Sequence, residues 1–270
     1  MLSRVLSGIV MAVGIIAVLL YTPWWGFAVV VGLAGALGGR EYLRMARPEA
    51  TSGEHLLFIV SCLAVVLWPV IARVCPGYSH GIALGVSFFV LALARLARPT
   101  PIESALPRLS LDVCGLLYLG ATFPFILLMR LEPGGGWIVL LAMVITFGSD
   151  TGAYFSGRFL GKHKLYPLVS PKKTIEGAVG GMATAIGCTF LCQAYFPGLS
   201  GLTTIDCVLL GGVGAMFAIV GDLIESLMKR SFDVKDSGDL IPGHGGILDR
   251  IDALLFCGPF VWLYLEYVVR

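Results

Sequence analysis

The chain has 270 residues, of which 57% are apolar and only 13% charged, where a soluble domain carries about 25% charged residues. Mean hydropathy is +0.88, and 19 Lys and Arg stand against 17 Asp and Glu. The near-balance of charge argues against a nucleic-acid partner, and the apolar excess argues against a soluble enzyme or a secreted disulfide scaffold.

In chain order, the apolar runs predict an all-α polytopic membrane protein with about nine transmembrane helices. The expected spans are 5–21, 24–39, 56–73, 81–97, 111–130, 136–157, 174–196, 202–230 and 249–269. Arg4 ahead of the first run suggests a signal peptide, but Leu19 to Trp24 holds no small-residue cleavage site, so a retained helix is expected. The eighth run is too long for a span alone, and its end is expected to project from the membrane. Gly35-x3-Gly39 and Gly177-x3-Gly181 permit close helix packing, either within a subunit or between two. Seven cysteines lie mostly in apolar runs without a CxxC pair, which reads as packing.

With these spans, 16 of the 19 Lys and Arg fall on the side of the N-terminus. The positive-inside rule then places the N-terminus in the cytoplasm and the C-terminus outside. The polar loops 150–173 and 230–249 share the cytoplasmic face. Residues 1–110, with about four spans, offer no constellation of chemical groups. Residues 111–270, with about five, hold nearly all of them and are expected to be the catalytic region.

Three clusters stand out there. The first is Ser149-Asp150-Thr151-Gly152-Ala153-Tyr154, which puts a carboxylate at the end of a span; such a group is hydrated, paired or bound to a metal. The second is Ser170-Pro171-Lys172-Lys173-Thr174-Ile175-Glu176-Gly177. Ser170 and Pro171 read as N-cap and first helical residue, which sets Lys172 and Lys173 where a helix N-terminus already favours phosphate. Two lysines anchoring a span at the lipid headgroups are an equal reading.

The third cluster runs from Asp222 to Asp252, where 11 of the 36 charged residues fall within 31 positions. Asp222, Glu225, Ser226, Lys229 and Asp233 form one polar stripe at helical spacing. Pro242 to Gly246 is too glycine-rich for a helix, so its backbone N–H groups can approach a phosphate closely. Asp249 and Asp252 open the last helix. Hard divalent cations take carboxylate oxygens and complete their shell with water and substrate phosphates, so Asp222 and Asp249 could share one ion.

The run Ser226-x2-Lys229-Arg230-x4-Lys235-Asp236-x-Gly238-x2-Ile241-Pro242-x-His244-Gly245-Gly246-Ile247-x-Asp249-Arg250-Ile251-Asp252 resembles the signature of the phosphatidate cytidylyltransferases, or CDP-diacylglycerol synthases. The segments around Asp150 and Lys172 are similar to that family's other recurring stretches. The resemblance covers about 100 residues of the C-terminal half. It implies that CTP and phosphatidate give CDP-diacylglycerol and pyrophosphate with Mg2+ required, in a homodimer of the bacterial inner membrane whose active site faces the cytoplasm.

Direct in-line attack by the lipid phosphate on the α-phosphorus of CTP suits these residues. Asp222 and Asp249 are the expected Mg2+ ligands, with Asp252 and Asp150 in reach and a second cation plausible. Lys172, Lys173, Lys229, Arg230 and Arg250 are candidates for the phosphates. Lys235, Asp236, Ser170, Thr174, Gly245 and Gly246 complete the expected site. His244 is expected to contact phosphate or to hold the glycine loop, because a phosphomonoester with a second pKa near 6 needs no general base. A transporter with midplane carboxylates, a CTP-dependent polyprenol kinase and a CDP-alcohol phosphotransferase are the rival readings.

Overall fold

The computed structural model describes residues 2–240 and 245–269, with side chains from residue 12 onward. Among the described residues, six helices are long and apolar enough to cross a membrane, or seven if a pair bent by 67° (Ser52–Val66 with Trp68–Val74) is one span. The chain is therefore a multi-pass helical membrane protein. Each of the nine expected runs falls on a helix or a pair of helices.

The helices are α1 (Leu2–Tyr21), α2 (Trp24–Ala46), α3 (Ser52–Val66), α4 (Trp68–Val74), α5 (His80–Ala97), α6 (Ile102–Gly120), α7 (Pro124–Leu131) and α8 (Gly135–Leu160). A two-stranded hairpin, β1 (Lys164–Tyr166) and β2 (Ser170–Thr174), comes next. Then follow α9 (Ile175–Tyr195), α10 (Thr204–Ser231) and α11 (Leu248–Tyr264), the last continuing as a wider π-helical turn, Leu265–Val269. Contacts divide the chain into two compact units that interleave along the sequence. One holds residues 22–128 and 236–249 with the start of α1; the other holds residues 12–21, 129–235 and 250 onward.

In the first unit, α2, α3 and α6 close around Tyr42, Phe58, Cys62 and Leu119, all nearly inaccessible. Gly39 sets the helix spacing there, since a Cβ would meet Cys62, Leu119 and Phe58, each at 3.7 Å. The Tyr42 ring lies against Gly115, and its hydroxyl donates to Leu111 O at 2.8 Å. At one end of this bundle Arg47, 2% exposed, donates to both oxygens of Asp112 at 2.8 and 2.9 Å. Arg95 joins Asp112 to Glu54 at 3.3 and 3.0 Å, and Arg47 also pairs with Glu54. Glu54 in turn completes the capping box of α3 with Thr51. Residues 47–112 thus hold an ion cluster that spacing alone does not show, because its members come from four different segments.

In the second unit, α8 and α9 cross at very short range along a strip of small residues. A Cβ at Gly181 would lie 2.7 Å from Ser149 O, and one at Gly177 would lie 2.9 Å from Ala153 O. Gly152 faces Thr184 and Gly180 faces Ser156 with no room for a side chain. The Gly177-x3-Gly181 pair therefore packs within one subunit. Gly214 and Gly221 do the same for α10, against Ile145 and Cys257 and against the carbonyl of Asp252 respectively.

Several local expectations are corrected. The helix α8 runs on to Leu160, so Asp150 sits inside it rather than opening a loop at 150. Ser170 is not an N-cap: Ser170 to Thr174 pair as a strand with Lys164 to Tyr166, and the cap is Thr174, whose Oγ1 accepts from Gly177 N at 3.1 Å. Asp233 leaves the polar stripe, because α10 ends at Ser231 and Asp233 turns the chain with φ of 56°.

Candidate active site

The hairpin holds Lys172 and Lys173 over the end of α8, and its geometry is set by residues around the lysines. Glu176, in the first turn of α9, accepts from the backbone N–H of Lys162 at 3.0 Å and of His163 at 3.2 Å. The His163 ring meets the same carboxylate at 2.6 Å. One acid thus ties the entry of the hairpin to its exit, where the expected helix N-terminus would have left the lysines on a helical turn. Gly157 and Gly161 of the α8 end accommodate Thr174 at close range.

Under this hairpin lies a cavity of about 430 Å3, lined by Asp150, Tyr154, Arg158, Lys172, Lys173, Thr174 and Asp222 among others. Lys173 Nζ stands 2.7 Å from Asp222 Oδ2, and Ser226 Oγ donates to Asp222 Oδ1 at 3.2 Å. The Lys173 and Asp222 side chains are 24% and 32% exposed, so as a stabiliser the pair is worth about 1 kcal/mol or less. Its chemical meaning is larger: a cationic group already sits on the carboxylate that faces the cavity.

Asp150, Asp222 and Asp252 come from α8, α10 and α11 and act on one another electrostatically. Lys173 and Arg250 stand within electrostatic reach of Asp150, and Lys229 of Asp252. Lys229 also pairs with buried Glu225 one turn away on α10. Arg230 is exposed and donates to Val234 O at 3.1 Å, closing the chain reversal after α10. Lys235 and Asp236 are exposed on the segment that follows. His244 and residues 241–243 lie outside the described residues.

Among the described residues no three of His, Cys, Asp and Glu form a ready metal cage. A hard cation such as Mg2+ does not need one, since it binds through one or two carboxylates and fills its shell from water and phosphates. Asp150 and Asp222, lining one cavity with Lys172 and Lys173, fit that habit.

Asp249 has a task of its own in the first unit. Its Oδ2 accepts from Ser237 N at 2.9 Å, from Ser237 Oγ at 2.8 Å and from Gly246 N at 2.9 Å. Gly245 adopts φ of 77°, which places its backbone beside the same carboxylate. A residue that sequence reasoning missed is Glu41, which accepts from Ile247 N at 3.0 Å and Leu248 N at 2.8 Å across more than 200 positions. No local spacing could have announced it.

Residues 2–268 match the model of the cytidylyltransferase family. A phosphatidate cytidylyltransferase of Bacillus subtilis (strain 168) is 33% identical over 274 residues, covering 98% of this chain and 97% of that protein. One from Haemophilus influenzae is 33% identical over 290 residues, covering 99% of each chain. One from Staphylococcus saprophyticus is 41% identical over 152 residues, covering 56% of each. Matched from end to end by the family model and by full-length relatives, the chain belongs to the cytidylyltransferase family.

Proposed function

We propose that the protein is a phosphatidate cytidylyltransferase, transferring CMP from CTP to phosphatidate to give CDP-diacylglycerol and pyrophosphate. The observation that carries this reading is the cavity under the hairpin. It joins Asp150 and Asp222 to Lys172 and Lys173 at the end of membrane-crossing helices, where a lipid phosphate and a nucleotide triphosphate can meet. Kinship with full-length relatives of that name supports the same substrates.

In the proposed step a phosphatidate oxygen attacks the α-phosphorus of CTP in line. The new O–P bond forms as the bond to the β-phosphate oxygen breaks, and pyrophosphate leaves with the electron pair. The nucleophile is already mostly dianionic at neutral pH, so no side chain has to remove a proton. Lys172 and Lys173 neutralise and orient phosphate oxygens, and Lys229, Arg230 and Arg250 are the further cations for pyrophosphate and lipid. Positioning and charge neutralisation supply most of the rate in transfers of this kind.

Asp222 is the first carboxylate for Mg2+, with Asp150 and Asp252 beside it. Asp249 enters the set through its place in the signature segment. Bound Mg2+ supplies charge neutralisation at the triphosphate, and a second cation is part of the proposal. Ser170 and Thr174 set the hairpin, Gly245 and Gly246 the turn before α11, and Lys235, Asp236 and His244 belong to the signature segment that the proposal counts with the site.

Nine spans, a cytoplasmic N-terminus, an outer C-terminus, an inner-membrane location with the site facing the cytoplasm, and a homodimer complete the proposal. The lopsided distribution of Lys and Arg supports the orientation.

The test is to incubate the purified protein with phosphatidate, Mg2+ and CTP labelled in the cytidine or, in a parallel reaction, in the γ-phosphate, and to follow each label into the lipid phase. Cytidine label in lipid supports the proposal. Phosphate transfer to lipid without cytidine makes the protein a lipid kinase, and no transfer at all restores the transporter reading.

A further inference from the structure

We propose that Glu41, on α2, is a positioning residue for the segment that enters α11, an inference that rests on the function proposed above. Glu41 is 8% exposed, and both of its carboxylate oxygens are spent on that segment. Oε1 accepts from Ile247 N at 3.0 Å, and Oε2 accepts from Leu248 N at 2.8 Å. The Ser237 hydroxyl lies 3.3 Å from Oε2 and 2.8 Å from Asp249 Oδ2, so it links the two carboxylates.

Together Glu41 and Asp249 take the N–H groups of residues 246, 247 and 248 in succession. Those of 247 and 248 open α11 and have no partner inside it. Among the described residues no Lys or Arg pairs with Glu41, so backbone N–H groups and the positive end of α11 carry its charge.

The contact also explains two glycines. A Cβ at Gly238 would lie 3.0 Å from Glu41 Oε1, and one at Gly246 would run into Glu41 Oε2 and Ser237 Oγ. Both positions are glycine because a carboxylate from a distant helix passes through the space a side chain would fill. The residues so held lead directly into Asp249, Arg250 and Asp252. A shift of the backbone at 246–248 displaces these groups without touching any of them.

The experiment uses the full chain in detergent, with Glu41→Gln and Glu41→Asp beside the wild type. The amide substitution keeps size but turns one acceptor into a donor facing an N–H. We expect turnover per folded molecule to fall about 10- to 100-fold, as when outer supports of a site are removed. The KM for CTP should change by less than about threefold, which marks a loss confined to the transition state. Glu41→Asp, which keeps the charge on a shorter arm, should fall between the two. Turnover per folded molecule unchanged in Glu41→Gln overturns the proposal, as does a loss that follows the melting midpoint alone.

Hydrogen exchange gives an arm that needs no variant. The amides of Ile247 and Leu248 in the wild type should exchange as slowly as the interior of α11, although opening amides of a helix ordinarily exchange fast. Fast exchange there overturns the bracing role. The function proposed above fails separately, through the fate of the cytidine label.

Discussion

Lys173 and His244 make different demands on the chemistry. Lys173 is held within 2.7 Å of Asp222 on a hairpin strand, so its charge is aimed at the cavity rather than left to swing on a surface. Lys173→Met keeps the stem of the side chain and removes the ammonium. Its kcat/KM for CTP should fall about 10²-fold, a loss of roughly 2.7 kcal/mol in transition-state stabilisation. A steady-state assay showing less than a threefold change removes Lys173 from the phosphate site. For His244 the expectation concerns pH. Because the phosphate nucleophile needs no base, the loss in His244→Gln should be the same from about pH 7 to 9, well above the phosphate's second pKa. Recovery of activity at the alkaline end would make His244 a base after all.

At the scale of elements, the ion cluster of Arg47, Arg95, Glu54 and Asp112 is a structural lock on the first unit. Asp112 is 3% exposed and holds two guanidinium groups, so Asp112→Ala removes their buried counterion and leaves part-exposed Glu54 to serve both. Breaking such a pair costs about 3–5 kcal/mol, and denaturation of the variant in detergent should show that loss. A midpoint equal to the wild type would mean the cluster is solvated. This part of the fold was the least legible from sequence. In the sequence Arg47 and Arg95 read as positive charges on one side of the membrane, and Asp112 falls inside the expected span 111–130. The apolar runs, in contrast, located every long helix, because the need to satisfy backbone hydrogen bonds in lipid leaves little else for such runs to do. The hairpin escaped for a local reason. Ser170-Pro171 has the composition of a helix start, yet the pairing of Lys164 to Tyr166 with Ser170 to Thr174, tied by Glu176, overrides it. Asp150, Asp222 and Lys173 were each singled out by residue type and position. That Lys173 rather than Lys172 meets Asp222 is a fact of strand alternation no helical reading contained.

For the whole molecule, the proposed orientation makes a chemical prediction at Cys75, an exposed thiol just after α4 and on the outer side in that arrangement. A membrane-impermeant maleimide should label it in intact spheroplasts. Labelling only after permeabilisation would invert the topology and move the cavity to the outer face. The larger claim is that membrane-crossing helices, a hairpin bearing two lysines and the carboxylates of α8, α10 and α11 make one transfer site in the second unit. Asp222 is its centre, in contact with Lys173 and Ser226 and lining the cavity. The decisive measurement is therefore the rate at which CTP labelled in the cytidine enters phosphatidate with Asp222→Asn beside the wild type, each shown to be folded by gel filtration and thermal unfolding. Label should enter lipid with the wild type, and the asparagine variant should retain at most about a hundredth of that rate, the order lost when one charged transition-state contact is removed. A folded Asp222→Asn protein that transfers cytidine at the wild-type rate would contradict the placement of the site.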